Sequence, residues 1–191
     1  PRFATVNGRF AMHRGGWLES PSIAFETWGT LRGKGDNAIM VFTGLSPSAH
    51  AASSAANPAA GWWEEMIGSG LPLDTDHYFV ICVNSLGSCF GSTGPASIDP
   101  LTGQRYRLNF PVLSLEDVAE GGYVVAQHLG LEKLHTTIGC SMGGMSALGF
   151  CVRHPGFSDG VILISSATRA MPFSLAVRSL HREMIRQHAK W

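Results

Sequence analysis

Ser141 stands in the run GCSMGGM, residues 139–145, with Gly139 and Gly143 two positions to either side, which is the pattern G-x-S-x-G. Between a strand and a helix that pattern makes a sharp, strained turn that lifts the serine hydroxyl above the end of a sheet. The glycines are needed because a Cβ at either place collides with the adjoining strand or helix. A hydroxyl so placed does nucleophilic chemistry on acyl groups, attacking a carbonyl carbon and carrying the acyl group as an ester. The backbone N–H of Met142, at the start of the helix, then faces the negative charge that develops on the carbonyl oxygen.

Such a serine needs a histidine to take its proton and an acid to hold that histidine. Both partners follow the serine in chains built on this turn, and here only Asp159, Glu183, His154, His181 and His188 do. Asp159 and His154 fall in the link between the next helix and strand, on the far side of the sheet. His181 and His188 fall in the terminal helical segment. Solvated roles are expected for all of them, and the catalytic Asp and His are not expected in this chain.

The elements around Ser141 fit the turn. LHTTI (134–138) reads as a strand, MGGMSALGFCVRH (142–154) as a helix stopped by Pro155, and GVILIS (160–165) as a further buried strand. AIMVFT (38–43) and YFVICVN (78–84) are continuous apolar runs of strand length, the pattern of parallel strands covered on both faces. SIAFETW (22–28) alternates apolar and polar residues as a half-buried strand does. The run 114–130 places Leu115, Val118, Ala119, Gly122, Val125, Ala126 and Leu129 on one helical face, with Ser114 as N-cap, Asp117 three later and Gly130 as the stop. Residues 85–112, rich in Gly, Ser and Pro, read as a long loop. Strands alternating with helices imply an α/β fold, a mostly parallel sheet flanked by helices.

Composition narrows the partners. The 191 residues carry 14 basic and 14 acidic side chains, so no charge excess recruits nucleic acid or an anionic membrane. The four cysteines form no CxxC pair and suggest reduced thiols, with no metal site. The first residues lack a signal-peptide core, and no apolar run is long enough to span a membrane. A cytoplasmic location is expected.

Several separated stretches carry a resemblance: ETWGTL, GLSPSAHAA, NPAAGWWEEMIG, FVICVNSLGSCFGSTGPASIDPLTGQRYRLNFP, GCSMGGM and MPFSLAVRSLHREMIR. Together they resemble the homoserine and serine O-acyltransferases, an α/β-hydrolase family that moves an acyl group from an acyl-coenzyme A to an amino-acid hydroxyl. GLSPSAHA and PFSLAVRSLHRE look most like the serine O-succinyltransferases. The resemblance implies Ser141 as nucleophile, Leu45 as second oxyanion donor beside Met142, and Ser46 lining the pocket. It also implies that Asn84 braces the loops around the site and that Arg182 pairs with a substrate carboxylate, whereas the spacing of Arg178, Arg182 and Arg186 by itself reads as a solvated basic face.

Acyl-coenzyme A and L-serine or L-homoserine are the small-molecule partners so implied, with no bound cofactor. Family members continue through a helical lid and carry their Asp and His there. The chain therefore reads as an incomplete α/β-hydrolase core over residues 1–169, followed by a helical segment at 170–191 that leads toward a lid. A homodimer is expected of the full-length protein. Three further readings remain open at this point: homoserine as acceptor with acetyl-coenzyme A as donor, a simple esterase, and an inactive or structural fragment that needs a second chain.

Overall fold

A computed structural model describes residues 1–189; Lys190 and Trp191, the end of the segment expected to be helical, lie outside the described residues. The first strands are ones the sequence pattern did not announce: β1 (Arg2–Thr5), β2 (Arg9–Ala11) and β3 (Trp17–Glu19). β2 and β3 pair as a hairpin in which Phe10 faces Leu18, both buried. β4 (Ser22–Trp28) coincides with the expected strand and pairs antiparallel with β1. It is more buried than its alternation suggests, because it lies inside the sheet and not at its margin.

β5 (Ala38–Phe42) has every residue buried, and its side chains divide between two cores as strand alternation requires. Met40 and Phe42 join Val118, Val125 and Phe150 on one face. Ile39 and Val41 join Trp28, Val80 and Ile138 on the other. The chain from β5 to the next long strand contains no α-helix; two short strands, β6 (Ile67–Gly68) and β7 (Leu73–Asp74), and a series of turns cover the second core instead. Trp62 and Trp63, stacked 5.2 Å apart, pack against that core. β8 (Phe79–Val83) runs parallel to β5 and is likewise wholly buried.

The long loop follows, interrupted by one 3₁₀ turn at Arg107–Asn109, and leads into α1 (Leu115–His128). The Asp117 carboxylate accepts hydrogen bonds from the Ser114 N–H and the His13 N–H, both at 2.7 Å, tying the start of this helix to the tip of the β2–β3 hairpin. β9 (Thr136–Cys140) pairs parallel with β5, and α2 (Met142–Arg153) begins one residue later. β10 (Val161–Ile164) runs parallel to β9 and completes a six-stranded sheet of order β1-β4-β8-β5-β9-β10. The sheet is mostly parallel, flanked by α1 and α2.

One expectation fails here. The apolar run of β10 predicts a buried strand, yet its four apolar residues are 38–48% exposed, because it is the last strand in the sheet order and no described strand lies beyond it. α3 (Pro172–Arg186) closes the described chain; it has no buried residue and exposes Phe173, Leu180 and Met184. None of the helices among the described residues is long and apolar enough to cross a membrane.

Candidate active site

β9 delivers the chain into the turn and α2 takes it away, so Ser141 must reverse the backbone in one residue. It does so at φ 56°, ψ −121°, a conformation L residues rarely adopt and one that costs on the order of 1–3 kcal/mol. The turn is held by the Ser141 N–H donating to the Ile164 carbonyl at 2.9 Å and the Gly144 N–H donating to the Ser141 carbonyl at 3.1 Å. Both flanking glycines are sterically required, as expected. A Cβ on Gly139 would meet the Gly143 carbonyl oxygen at 2.1 Å, and one on Gly143 the Phe42 carbonyl oxygen at 2.2 Å. Ser141 is exposed and makes no side-chain cap hydrogen bond, which leaves Oγ available to a substrate.

Met142 opens α2, and a first-turn N–H has no acceptor within its own helix. Leu45 lies three residues past β5, on the turn that faces the elbow, and is 58% exposed. Among the described residues its N–H reaches no backbone acceptor. Thr43, buried just before it, hydrogen-bonds through Oγ1 with the Ser85 hydroxyl at 3.3 Å, which ties the ends of β5 and β8 together.

Leu45, Ser141, Met142, Met145, Arg169 and Arg178 line one cavity of about 520 Å³. The two arginines there are not the one expected. Arg182, one turn further along α3, is exposed and donates to the Ser179 hydroxyl at 3.1 Å, outside the set of residues lining this cavity. Helical spacing of four places Arg178, Arg182 and Arg186 on one face but does not say which turn meets the site. Ser46 is exposed on the Leu45 turn and is likewise absent from that lining. Asn84 is fully buried: its Nδ2 donates to the Ser88 and Ser92 hydroxyls at 2.7 and 3.2 Å. It holds the loop after β8 through these bonds and has no exposed surface with which to touch a substrate.

Sequence reading passed over one cluster beneath the Leu45 turn. His50 Nδ1 lies 2.9 Å from the Glu26 carboxylate and Nε2 lies 2.8 Å from the Ala59 carbonyl oxygen. With an acceptor at each nitrogen the ring is favoured as the imidazolium, so the Glu26 hydrogen bond, more than any other contact, raises the His50 pKa above its ordinary value. Glu64 accepts from the Ser53 and Gly61 N–H groups, each at 2.7 Å, and from the Ser53 hydroxyl, which lowers its pKa. The only sequence sign of this cluster was the presence of polar residues in GLSPSAHAA and GWWEE.

The later histidines and acids stay away from Ser141. His154 stacks on Tyr123 at 3.8 Å and lies 3.2 Å from Glu120 Oε2, and His181 is exposed on α3. None of them, nor Asp159, lines the Ser141 cavity. Cys82 and Cys140 both have thiol pKa values raised by burial, and all four cysteines are free. No group of three His, Cys, Asp or Glu side chains able to hold a metal occurs among the described residues.

Residues 37–187 match the alpha/beta hydrolase fold model. Over 190 residues the chain is 56% identical to a serine O-succinyltransferase from Litchfieldella anticariensis, covering all of this chain and 52% of that protein. In structure it superimposes on esterase E22 with a TM-score of 0.89 at 30% identity, covering 100% of this chain and 54% of the other. The homoserine O-acetyltransferase from Bacillus anthracis gives 0.82 at 30% identity, with coverages of 90% and 48%. The chain spans about half the length of the curated relatives it matches.

Proposed function

This chain belongs to the alpha/beta hydrolase fold family, and from that premise we propose that its protein moves a succinyl group from succinyl-coenzyme A to the hydroxyl of L-serine. The observation that carries the acyl-transfer reading is the exposed Ser141 at the strained turn, in a cavity that Met142 and Leu45 also line. Identity to the Litchfieldella serine O-succinyltransferase supports the choice of donor and acceptor.

In the first half of the reaction a base takes the Ser141 proton and Oγ attacks the thioester carbonyl carbon. The two N–H groups hold the oxyanion of the tetrahedral intermediate, the C–S bond breaks, and coenzyme A leaves with the proton as the free thiol. In the second half the same base takes the proton of the L-serine hydroxyl, whose oxygen attacks the acyl-enzyme. The C–Oγ bond breaks and Ser141 recovers its proton. Arg178 and Arg169 supply positive charge to the same cavity, where the acceptor's carboxylate and the donor's phosphates need it. No histidine or carboxylate lines that cavity among the described residues, so the base and its orienting acid come from outside them. The same reading assigns the protein to amino-acid biosynthesis, toward cysteine and methionine, as a cytoplasmic homodimer.

Two other readings have support. Likeness to esterase E22 favours water as acceptor, and likeness to the Bacillus enzyme favours homoserine with acetyl-coenzyme A. Incubating the full-length protein with succinyl- or acetyl-coenzyme A, each with serine, homoserine or neither, separates them. Serine-dependent thiol release from succinyl-coenzyme A is expected. Release independent of any amino acid would instead make the protein a hydrolase.

A further inference from the structure

A second cavity, of about 340 Å³, lies on the other side of the Leu45 and Met142 pair and shares both residues with the Ser141 cavity. Its remaining walls include Leu86, Leu113 and Val118, and Arg14 is the sole charged side chain among its lining residues. Arg14 sits at the tip of the β2–β3 hairpin, where the Gly15 N–H donates to the Met12 carbonyl at 3.0 Å and the Met12 N–H to the Gly16 carbonyl at 3.1 Å. The His13 N–H bond to Asp117 fixes that tip against α1.

Of the neighbouring acids, Asp117 accepts two N–H bonds, while Glu116 lies 3.7 Å from the His13 ring and also feels the Arg14 charge. Arg14 itself forms no salt bridge among the described residues. A chamber walled mainly by apolar side chains, with a single guanidinium in its lining, suits a short hydrocarbon chain that ends in a carboxylate.

We propose that this chamber is the acyl pocket and that Arg14 binds the distal carboxylate of the donor's acyl group. The proposal rests on the succinyl-transfer reading and adds to it the group that reads the acyl chain. With the carbonyl oxygen of the Ser141 ester held between Leu45 and Met142, the chamber that those two residues also line adjoins the rest of the acyl group. Two methylene groups meet Leu86, Leu113 and Val118. The terminal carboxylate meets the guanidinium and accepts two parallel N–H bonds from it. An acyl group of equal length ending in a methyl would gain nothing from Arg14.

The test compares succinyl-coenzyme A with butyryl-coenzyme A, a donor of the same carbon count without the charge, using the full-length protein and L-serine. Arg14→Leu and Arg14→Lys are assayed beside the native protein, with each variant's unfolding midpoint measured so that a misfolded variant is recognised. The native protein is expected to favour the succinyl donor. Arg14→Leu should lower the succinyl-to-butyryl ratio of kcat/KM by about ten- to a hundredfold, the range for a hydrogen bond to a charged group. Arg14→Lys, which keeps the charge and loses the fork, should fall between the two and carries the test if Arg14→Leu does not fold. A native preference for succinyl that survives in the folded variants overturns this inference alone. A native protein that uses neither donor overturns the succinyl-transfer reading and the inference with it.

Discussion

Gly143 stands so close to the end of β5 that a Cβ on it would lie 2.2 Å from the Phe42 carbonyl oxygen and 2.6 Å from that of Thr43. The helix that carries Met142 and the strand whose following turn carries Leu45 therefore meet through a glycine, with no side chain between them. The spacing of the Met142 and Leu45 N–H groups, the proposed oxyanion donors, depends on that contact. Any residue larger than glycine must separate them.

Gly143→Ala is expected to destabilise the protein by about 3 kcal/mol, the upper end for overpacking, because the atoms it meets are backbone and cannot step aside. Gly149→Ala, in the same helix, is the control. Its Cβ would meet nothing closer than 3.7 Å, so removing a helical glycine there should stabilise by about 0.5–1 kcal/mol. Urea midpoints of the two variants check both signs.

Arg178 and Arg182 differ in what they face: only the former lines the Ser141 cavity. Arg178→Ala should raise the KM for a substrate bearing a carboxylate or phosphate about tenfold, the smaller end for a lost charge-assisted hydrogen bond. Arg182→Ala should change it by about twofold or less, as for an exposed side chain whose own contact is to Ser179. Steady-state kinetics on the two variants decides between helical register and family resemblance as guides.

The His50 ring, raised in pKa by Glu26, makes a pH-dependent contribution to the fold. A group whose pKa is higher folded than unfolded stabilises fully below its unfolded pKa of about 6.5, and that stabilisation is lost as pH rises through the folded value. The stability difference between native protein and His50→Gln should therefore be largest near pH 6 and shrink toward pH 8 and above. Unfolding midpoints across that range measure it, and a difference that grows with pH would show that the ring is held neutral.

How much of this was legible in the residues depends on the range of the interactions involved. β5, β8 and α1 announce themselves because their burial follows from periodicity within a few residues. The Ser141 turn does so because its steric demand falls on glycines two positions away. β10 has the same apolar composition as β5, and its exposure comes from its place in the sheet order, which composition does not encode. The hairpin β2–β3 is too short to show a period, yet it carries Arg14. His50 and Glu26 stand 24 residues apart in the chain and meet only through the tertiary fold. The identity of the arginine facing Ser141 depends on where α3 sits, so equal spacing of the three gave no preference among them.

Acyl-enzyme formation at Ser141 tests the central claim most directly. Full-length protein mixed with succinyl-coenzyme A in the absence of acceptor, quenched in acid and digested, is expected to carry one succinyl group on the peptide containing Ser141. Adding L-serine before the quench should discharge it. Ser141→Ala should remove the label and lower turnover by at least about 10⁴-fold. Equal labelling of Ser141→Ala, or full turnover by that variant, would contradict the assignment of Ser141 as the nucleophile.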